Sequence, residues 1–344
     1  MKILYITGDD PRKMNCGTQQ RTHFLWKALR ELGEVTVCCP KARPNELFLK
    51  LTKLIRWPFR SEREVREYLG IGNGRFDIVV TRYMENASSF AAWKLGPLYI
   101  DIDDMPIQAF DRVEGKRLPA FMRPLCRLLL MWAQNYVLRK CAGAWVVKEE
   151  DKSALPRGLK SAVLPNLARH PSKSYERAGK QEKMLMTVGL MGYEPNSEGV
   201  EWFVDNIWPA VHARYPELTY EIAGGGMPER LKAKFATVPN VKVLGFVDDP
   251  DVVYSRASAV VAPILSGAGT CIKVMEALLR GRKVLATDVA CRGYDELPGL
   301  HRFSTVDDFL SAFSMPEDQD HIAQISATRN SEARFNEIVR TEIR

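Results

Sequence analysis

Apolar runs of four or five residues recur along the chain with helical segments between them, and this alternation constrains the fold more than any other feature. Ile3–Thr7, Val35–Cys39, Ile78–Thr81, Leu98–Ile102 and Ala144–Val147 form one series. Met184–Val188, Thr219–Ala223, Val241–Leu244, Ala259–Ala262 and Lys283–Ala286 form a second. Short strands that are apolar along their length are buried on both faces, which means parallel sheets covered by helices on each side. Between the first two strands a helix is predicted from Thr18 to Leu32, with Phe24, Leu25, Ala28, Leu29 and Leu32 on one side and Gly33 at its end. A longer helix is predicted over Ser197–Tyr215. The two series flank a proline- and charge-rich stretch around Pro156–Lys183. The expected fold class is therefore α/β, with two doubly wound domains, at 1–165 and 184–329, joined by a linker at 166–183. A last helical segment, 330–344, is expected to cross back to the first domain. A length of 344 residues accommodates two such domains.

Hydrophobic residues at 46% and charged residues at 26% describe a globular chain rather than a disordered one. No apolar run approaches the ~20 residues of a membrane span, and the apolar start of MKILYITGDD is too short for a signal peptide, so a cytoplasmic location is expected. The seven cysteines form no CxxC pair and the five histidines have no ligand spacing, which leaves no zinc site or disulfide framework to expect. A net charge of +7 and a pI near 9.0 point to an anionic partner: nucleic acid, a phosphate-bearing small molecule or an acidic membrane. Neither a recognition helix nor an aromatic ladder supports nucleic acid.

The stretch SGAGTCIKVMEALLRGRKVLATD (Ser266–Asp288) narrows the choice. Its loop leaves a strand and enters a helix, where backbone N–H groups meet an anion. Gly267 and Gly269 remove side chains that would hold a diphosphate away. Lys273 adds a full charge; at ~4 Å and an effective dielectric of ~20 it attracts a phosphate oxygen by ~4 kcal/mol before desolvation. The helix terminus offers only ~0.3–1 kcal/mol, so the lysine is the larger contribution. Glu276, three residues on, is unwelcome beside a diphosphate unless it accepts the two ribose hydroxyls. The alternative is a surface ion pair with Lys273 worth ~0.2–0.5 kcal/mol. In doubly wound sheets ligands sit at the carboxyl ends of strands, so two facing domains would place one in the cleft between them.

These residues resemble the carboxyl-terminal domain of the group 1 (family 4) glycosyltransferases of the GT-B fold. The pattern is a proline, a glycine-rich loop, lysine, Glu-Ala and a Gly-x-x-Val-Leu-Ala-Thr strand. LPNLARH (Leu164–His170) is similar to the hinge motif. VGLMGYEPNSEGVEWFVDNIWP (Val188–Pro209), IAGGG (Ile222–Gly226) and LGFVDD (Leu244–Asp249) resemble successive strand ends of the nucleotide domain. The likeness is strong from about 184 to 294 and looser before that. There are departures. Many relatives carry a glutamate where this chain has Ala268, and Arg and Lys where it has Leu190, Met191 and Gly192; Lys273 is the expected substitute for the latter. The resemblance implies transfer of a sugar from a UDP- or GDP-sugar to a saccharide or lipid-linked saccharide, with retention of configuration and no obligatory metal or other cofactor. Its natural setting is cell-surface polysaccharide synthesis.

The expected donor residues are Gly17, Arg21, Gly189, Phe246, Val247, Gly267, Gly269, Thr270, Lys273 and Glu276. Lys273 and the Gly269 and Thr270 N–H groups would stabilise the leaving diphosphate as its charge grows. Phe246 and Val247 would offer an apolar face to the base. Asp103 or Asp104, in LYIDIDDM, is expected to act as base or orienting group for the acceptor hydroxyl. Two further readings of that segment remain: Asp101 and Asp103 as a metal-holding DxD, and turn chemistry before Pro106. Arg82 and Tyr83 follow a strand end and are weaker candidates. The basic and apolar segment 41–69 is expected to reach an inner-leaflet membrane surface, and Lys116–Arg139 mixes such residues too, with an ordinary core-facing helix as its alternative. Three rivals stand beside the transferase. A nucleotide oxidoreductase lacks its GxGxxG, a sugar-nucleotide epimerase of the same fold would carry more carboxylates and histidines, and a non-catalytic sugar-nucleotide binder would explain Ala268.

Overall fold

The computed structural model describes residues 1–40, 61–112, 115, 118–172, 183–267, 269–294, 297–315 and 321–343. The chain divides into two compact units, Met1–Asn166 with Glu332–Arg344, and Leu167–Ser331. Each is built on a six-stranded parallel sheet.

In the first unit the strands β1 (Lys2–Ile6), β2 (Glu34–Cys38), β3 (Ile78–Arg82), β4 (Leu98–Ile102), β5 (Gly143–Val146) and β6 (Lys160–Val163) lie in the order β2-β1-β3-β4-β5-β6. The helix Gly17–Arg30 buries Phe24, Leu25, Ala28 and Leu29, the face read from the sequence. The Glu332–Ile343 helix belongs to this unit, where Asn336 and Arg340 bond Glu31 and Glu332 pairs with Lys27. Of the basic segment 41–69, residues 41–60 lie outside the described ones. Its end forms the helix Glu62–Leu69, opened by a Ser61/Glu64 capping box and closed on Gly70.

The second unit contains β7 (Met184–Val188), β8 (Thr219–Ala223), β9 (Val241–Gly245), β10 (Ala259–Ala262), β11 (Lys283–Ala286) and β12 (Leu300–Arg302), in the order β12-β11-β10-β7-β8-β9. Its core has two layers, and period-two alternation assigns each residue to one of them. Met184, Met186, Val260, Ala262, Val284 and Ala286 enter one layer. Leu185, Ala259, Val261 and Leu285 enter the other. This is why the strands read as unbroken apolar runs.

Two details differ from the sequence reading. The helix expected over Ser197–Tyr215 is two helices, Glu194–Asn206 and Trp208–Arg214, separated at Ile207. Pro209 cannot donate the N–H that a continuous helix would need, and sits in the first turn of the second helix instead. β6 and β12 were not foreseen; both are sheet edges, where a strand need not be apolar. Among the described residues no helix is long and apolar enough to cross a membrane.

Candidate functional site

β7 and β10 are neighbours in the second sheet, yet the chain leaves β7 toward β8 and β10 toward β11, on opposite sides. This is the point where a doubly wound sheet opens a crevice beyond its strand ends. Gly189 follows β7 there, and its N–H donates to Ala223 O at 3.0 Å. The helix Glu194–Asn206 carries Asn196 beside it, and the helix Ile272–Leu279, reached from β10, carries Lys273. Lys273 Nζ donates to Asn196 Oδ1 at 2.7 Å, and Asn196 Nδ2 donates to Leu190 O at 2.8 Å. A Cβ on Gly189 would lie 2.9 Å from Lys273 Nζ and 3.0 Å from Asn196 Nδ2. The missing side chain is therefore the space in which the lysine lies.

Burial of the ammonium pushes the Lys273 pKa down, and the nearby Cys271 and Glu276 oppose the shift without cancelling it. A desolvated cation whose neighbour is a neutral amide gains from an incoming anion. The Ile272–Leu279 helix starts without a side-chain cap bond, and Val274 N–H donates to Cys271 O at 2.9 Å. Glu276 lies one turn further on, half-buried, with its electrostatic influence on Lys273 restricted to opposing that shift.

Surrounding loops are fixed by backbone fit. Gly224, at φ 141°, approaches Gly189 so closely that a Cβ would sit 1.7 Å from Gly189 O. Met191 N–H donates to Gly225 O at 2.8 Å. Gly199 in the Glu194–Asn206 helix packs on Pro263 O, at the β10 end. Thr287, just past β11, bonds Ile264 O through its hydroxyl. Arg292 Nη1 donates to Gly267 O at 3.0 Å, holding the glycine loop with a cation. Gly267, Gly269 and Thr270 are half-buried on this loop. Phe246 is 68% exposed at the β9 end beside Gly225, whereas Val247 packs against the core and offers only its backbone. Asn196 and Arg292 were missed from the sequence. Asn196 stands within the Val188–Pro209 segment, but nothing local shows that it meets a lysine 77 positions away.

The expected residues of the first unit form a different cluster. Arg21, expected to meet the donor, is 1% exposed and bonds Asp101 through Nε at 2.9 Å. Its Nη1 donates to Leu164 O at 3.0 Å and Asn166 Oδ1 at 2.8 Å. Arg82 donates to Asp101 Oδ2 at 2.8 Å and Asp103 Oδ2 at 3.2 Å, and Asn166 Nδ2 donates to Asp103 Oδ1 at 3.2 Å. The five side chains close a ring of two cations, two anions and one amide. Burial pushes the Asp101 carboxyl up, but Arg21 and Arg82 outweigh it and hold the group below the ordinary range. Arg21 is thus a structural member of this ring, and its guanidinium has no arm left for a phosphate. The same holds for the DxD reading, since the oxygens of Asp101 and Asp103 already accept from guanidinium and amide groups. Asp103 keeps 16% of its side chain exposed at the rim, and Asp104 follows half-buried. Tyr83 sits there too, at φ 64° and ψ 145°, its ring 4.6 Å from the Arg82 guanidinium and its hydroxyl 2.9 Å from Arg82 Nη2. That backbone region is strained for any residue but glycine. Gly17 begins the Gly17–Arg30 helix after Cys16.

Known proteins agree with this architecture. Residues 182–314 match the family model described as Glycosyl transferases group 1. A curated relative, an uncharacterized 44.6 kDa protein in the cps region of Klebsiella pneumoniae, is 24% identical over 132 residues, 36% of this chain and 34% of that protein. The match thus spans about a third of the relative's length. An α,α-trehalose-phosphate synthase (UDP-forming) from Burkholderia xenovorans, in complex with glucose-6-phosphate, superposes with a TM-score of 0.64 at 11% identity, covering 100% of both chains. HepE of Anabaena, in complex with UDP and glucose, gives 0.62 at 13% identity, covering 99% of this chain and 98% of that one. A sucrose-phosphate synthase from Thermosynechococcus elongatus gives 0.60 at 14%, covering 99% and 94%. At such identities the structural likeness speaks for the fold. Residues 182–314 are thus similar to the group 1 glycosyltransferases, and the chain has the two-domain GT-B fold of these structures.

Proposed function

We propose that the chain transfers a sugar from a nucleoside diphosphate sugar, UDP-linked in the first instance, to a saccharide or lipid-linked saccharide acceptor. The observation that carries this is the Lys273 ammonium, desolvated at the β7/β10 switch point and bonded to the neutral Asn196 amide. It would meet the diphosphate with the N–H groups of Gly269 and Thr270, while Gly267 keeps the approach open. Glu276 would accept the ribose hydroxyls and Phe246 would cover one face of the base. As the bond from the sugar carbon to the diphosphate breaks, charge grows on the leaving oxygen, where Lys273 stabilises it. On the acceptor side we assign Asp103 to orienting a hydroxyl, held for that purpose by Arg82 and Asn166, with Asp104 beside it. Retention of configuration, independence of metal, a cytoplasmic location, an inner-leaflet contact through 41–69 and a role in cell-surface polysaccharide synthesis complete the proposal. By analogy, the UDP bound by HepE and formed by the trehalose-phosphate synthase supports the uridine donor, and the cps-region relative supports the polysaccharide setting.

Calorimetric titration of UDP and GDP without metal, into the wild type and into Lys273→Ala and Glu276→Ala, tests the donor site. One nucleotide should bind saturably, with each variant weaker by roughly tenfold, ~1.4 kcal/mol. If neither nucleotide binds, with or without Mg²⁺, the donor site is elsewhere or absent. Release of free nucleoside diphosphate on adding acceptor separates a transferase from a mere binder.

A further inference from the structure

The helix Arg123–Leu138 has two apolar faces, and only one of them is used within its unit. Leu130 and Ala133 pack with Phe110, and Val137 and Leu138 enter the main core of the unit. On the opposite side Leu125, Leu128, Leu129 and Trp132 are 62%, 57%, 40% and 56% exposed. Their spacing of i, i+3, i+4 and i+7 makes them one continuous stripe. Phe121, 84% exposed, stands just ahead of the helix. Tyr136 extends the stripe by one more turn, its ring 5.8 Å from Trp132 and 5.4 Å from Lys140 Nζ. Scattered exposed apolar residues need no explanation, but a contiguous row of large ones does.

Charge identifies what covers the row. Between Glu114 and Glu149 the chain holds no aspartate or glutamate, and Lys116, Arg117, Arg123, Arg139 and Lys140 fall within that stretch, whereas Arg127 is paired with Asp111 and Lys148 is buried beside Asp151. Arg139 and Lys140 are exposed at the end of the stripe, next to Tyr136. A second copy would bring this basic surface against itself, and a purely apolar partner would leave the cations unmatched. An anionic bilayer matches both: leucines and aromatic rings enter the acyl boundary and the cations meet headgroup phosphates. At 16 residues the helix is about 24 Å long, and it lies along the unit with one side in the core, so the fit is to a surface.

We propose that the Leu125–Trp132 stripe, with Arg139 and Lys140, is a docking surface for a bilayer rich in anionic phospholipid. This assigns a bilayer contact to a different segment from the 41–69 contact proposed above, and does not depend on glycosyl transfer. The test is sedimentation of the full chain with vesicles of phosphatidylcholine alone and of phosphatidylcholine with phosphatidylglycerol. The wild type should bind the mixed vesicles, weakly or not at all the neutral ones, and lose binding as salt rises. The variant Leu125→Ser/Leu129→Ser/Trp132→Ser should lose tenfold or more in partitioning. Arg139→Gln/Lys140→Gln should lose roughly fivefold for each cation removed. All the substituted side chains are exposed, so circular dichroism and UDP titration should match the wild type and report separately on folding and on the donor site. Three results overturn the proposal: no binding of the wild type to anionic vesicles, binding that is unchanged in the triple variant, or a concentration-dependent dimer that the triple variant abolishes without any vesicle binding.

Discussion

The two units use the same sheet and the same strand-end positions to opposite purposes. In the first, Arg21, Arg82, Asp101, Asp103 and Asn166 bond one another in a closed ring of balanced charge, with Asp101 and both guanidiniums out of water. In the second, glycines leave a space, and a partly desolvated lysine occupies it with an amide for company. A polar cluster whose charges balance internally supports the fold, because removing any member strands another in low dielectric. One whose charge is met only by a neutral dipole is completed from outside. Counting charged residues near a strand end would rank the first cluster as the better site; counting unmatched charge favours the second.

The contrast breaks most sharply at Asp101. Asp101→Ala should cost about 3–5 kcal/mol, since it leaves two guanidiniums buried without a counter-charge. In urea the unit made of Met1–Asn166 and Glu332–Arg344 should melt early, while UDP still protects Leu167–Ser331; a single unshifted transition would refute the ring's structural role. Next in size is a pair of glycine substitutions in the second unit. Gly224→Ala meets backbone and an adverse φ, so a loss of ~1–3 kcal/mol in stability is expected. Gly189→Ala meets the mobile end of Lys273, so thermal stability should move by under ~1 kcal/mol while nucleotide affinity falls roughly tenfold. Equal effects on stability would show that the lysine's space is structural only. The smallest effect is acid sensitivity. The Asp101 pKa is depressed in the folded state, so its contribution is whole above the unfolded value of ~3.9 and is lost as pH falls through the folded value. Asp101→Asn should therefore flatten the acid limb of the first unit's stability curve below pH ~4 and leave the second unit's unchanged.

How much of this was legible follows from where each constraint acts. Central strands such as Ile3–Ile6 and Val260–Ala262 are covered on both faces, and burial writes itself into consecutive residues. The edge strands Lys160–Val163 and Leu300–Arg302 have one paired neighbour and little burial, so nothing in KSAV or LHR announced them. Lys273, Gly267 and Gly269 were readable because one loop-to-helix segment contains them all. The Arg21–Asp101 bond joins residues 80 apart, and Asp101 looked like a ligand in LYIDIDDM because its two partners are supplied by other elements. The outward stripe of the Arg123–Leu138 helix was visible as apolar and basic residues together. Which side faced the core was not, since both sides are apolar.

The helix Glu332–Ile343 has a consequence for how the molecule is made. It belongs with residues 1–166, so the first unit is encoded in two pieces with the whole of Leu167–Ser331 between them. On the ribosome, domains form as their residues emerge, and this one emerges without its closing helix. Leu167–Ser331 is available to fold in one stretch, its ends tied by paired hydrogen bonds between Asn330 and Ala168. The unit that holds β1 can be completed only after the whole of Leu167–Ser331 has been made.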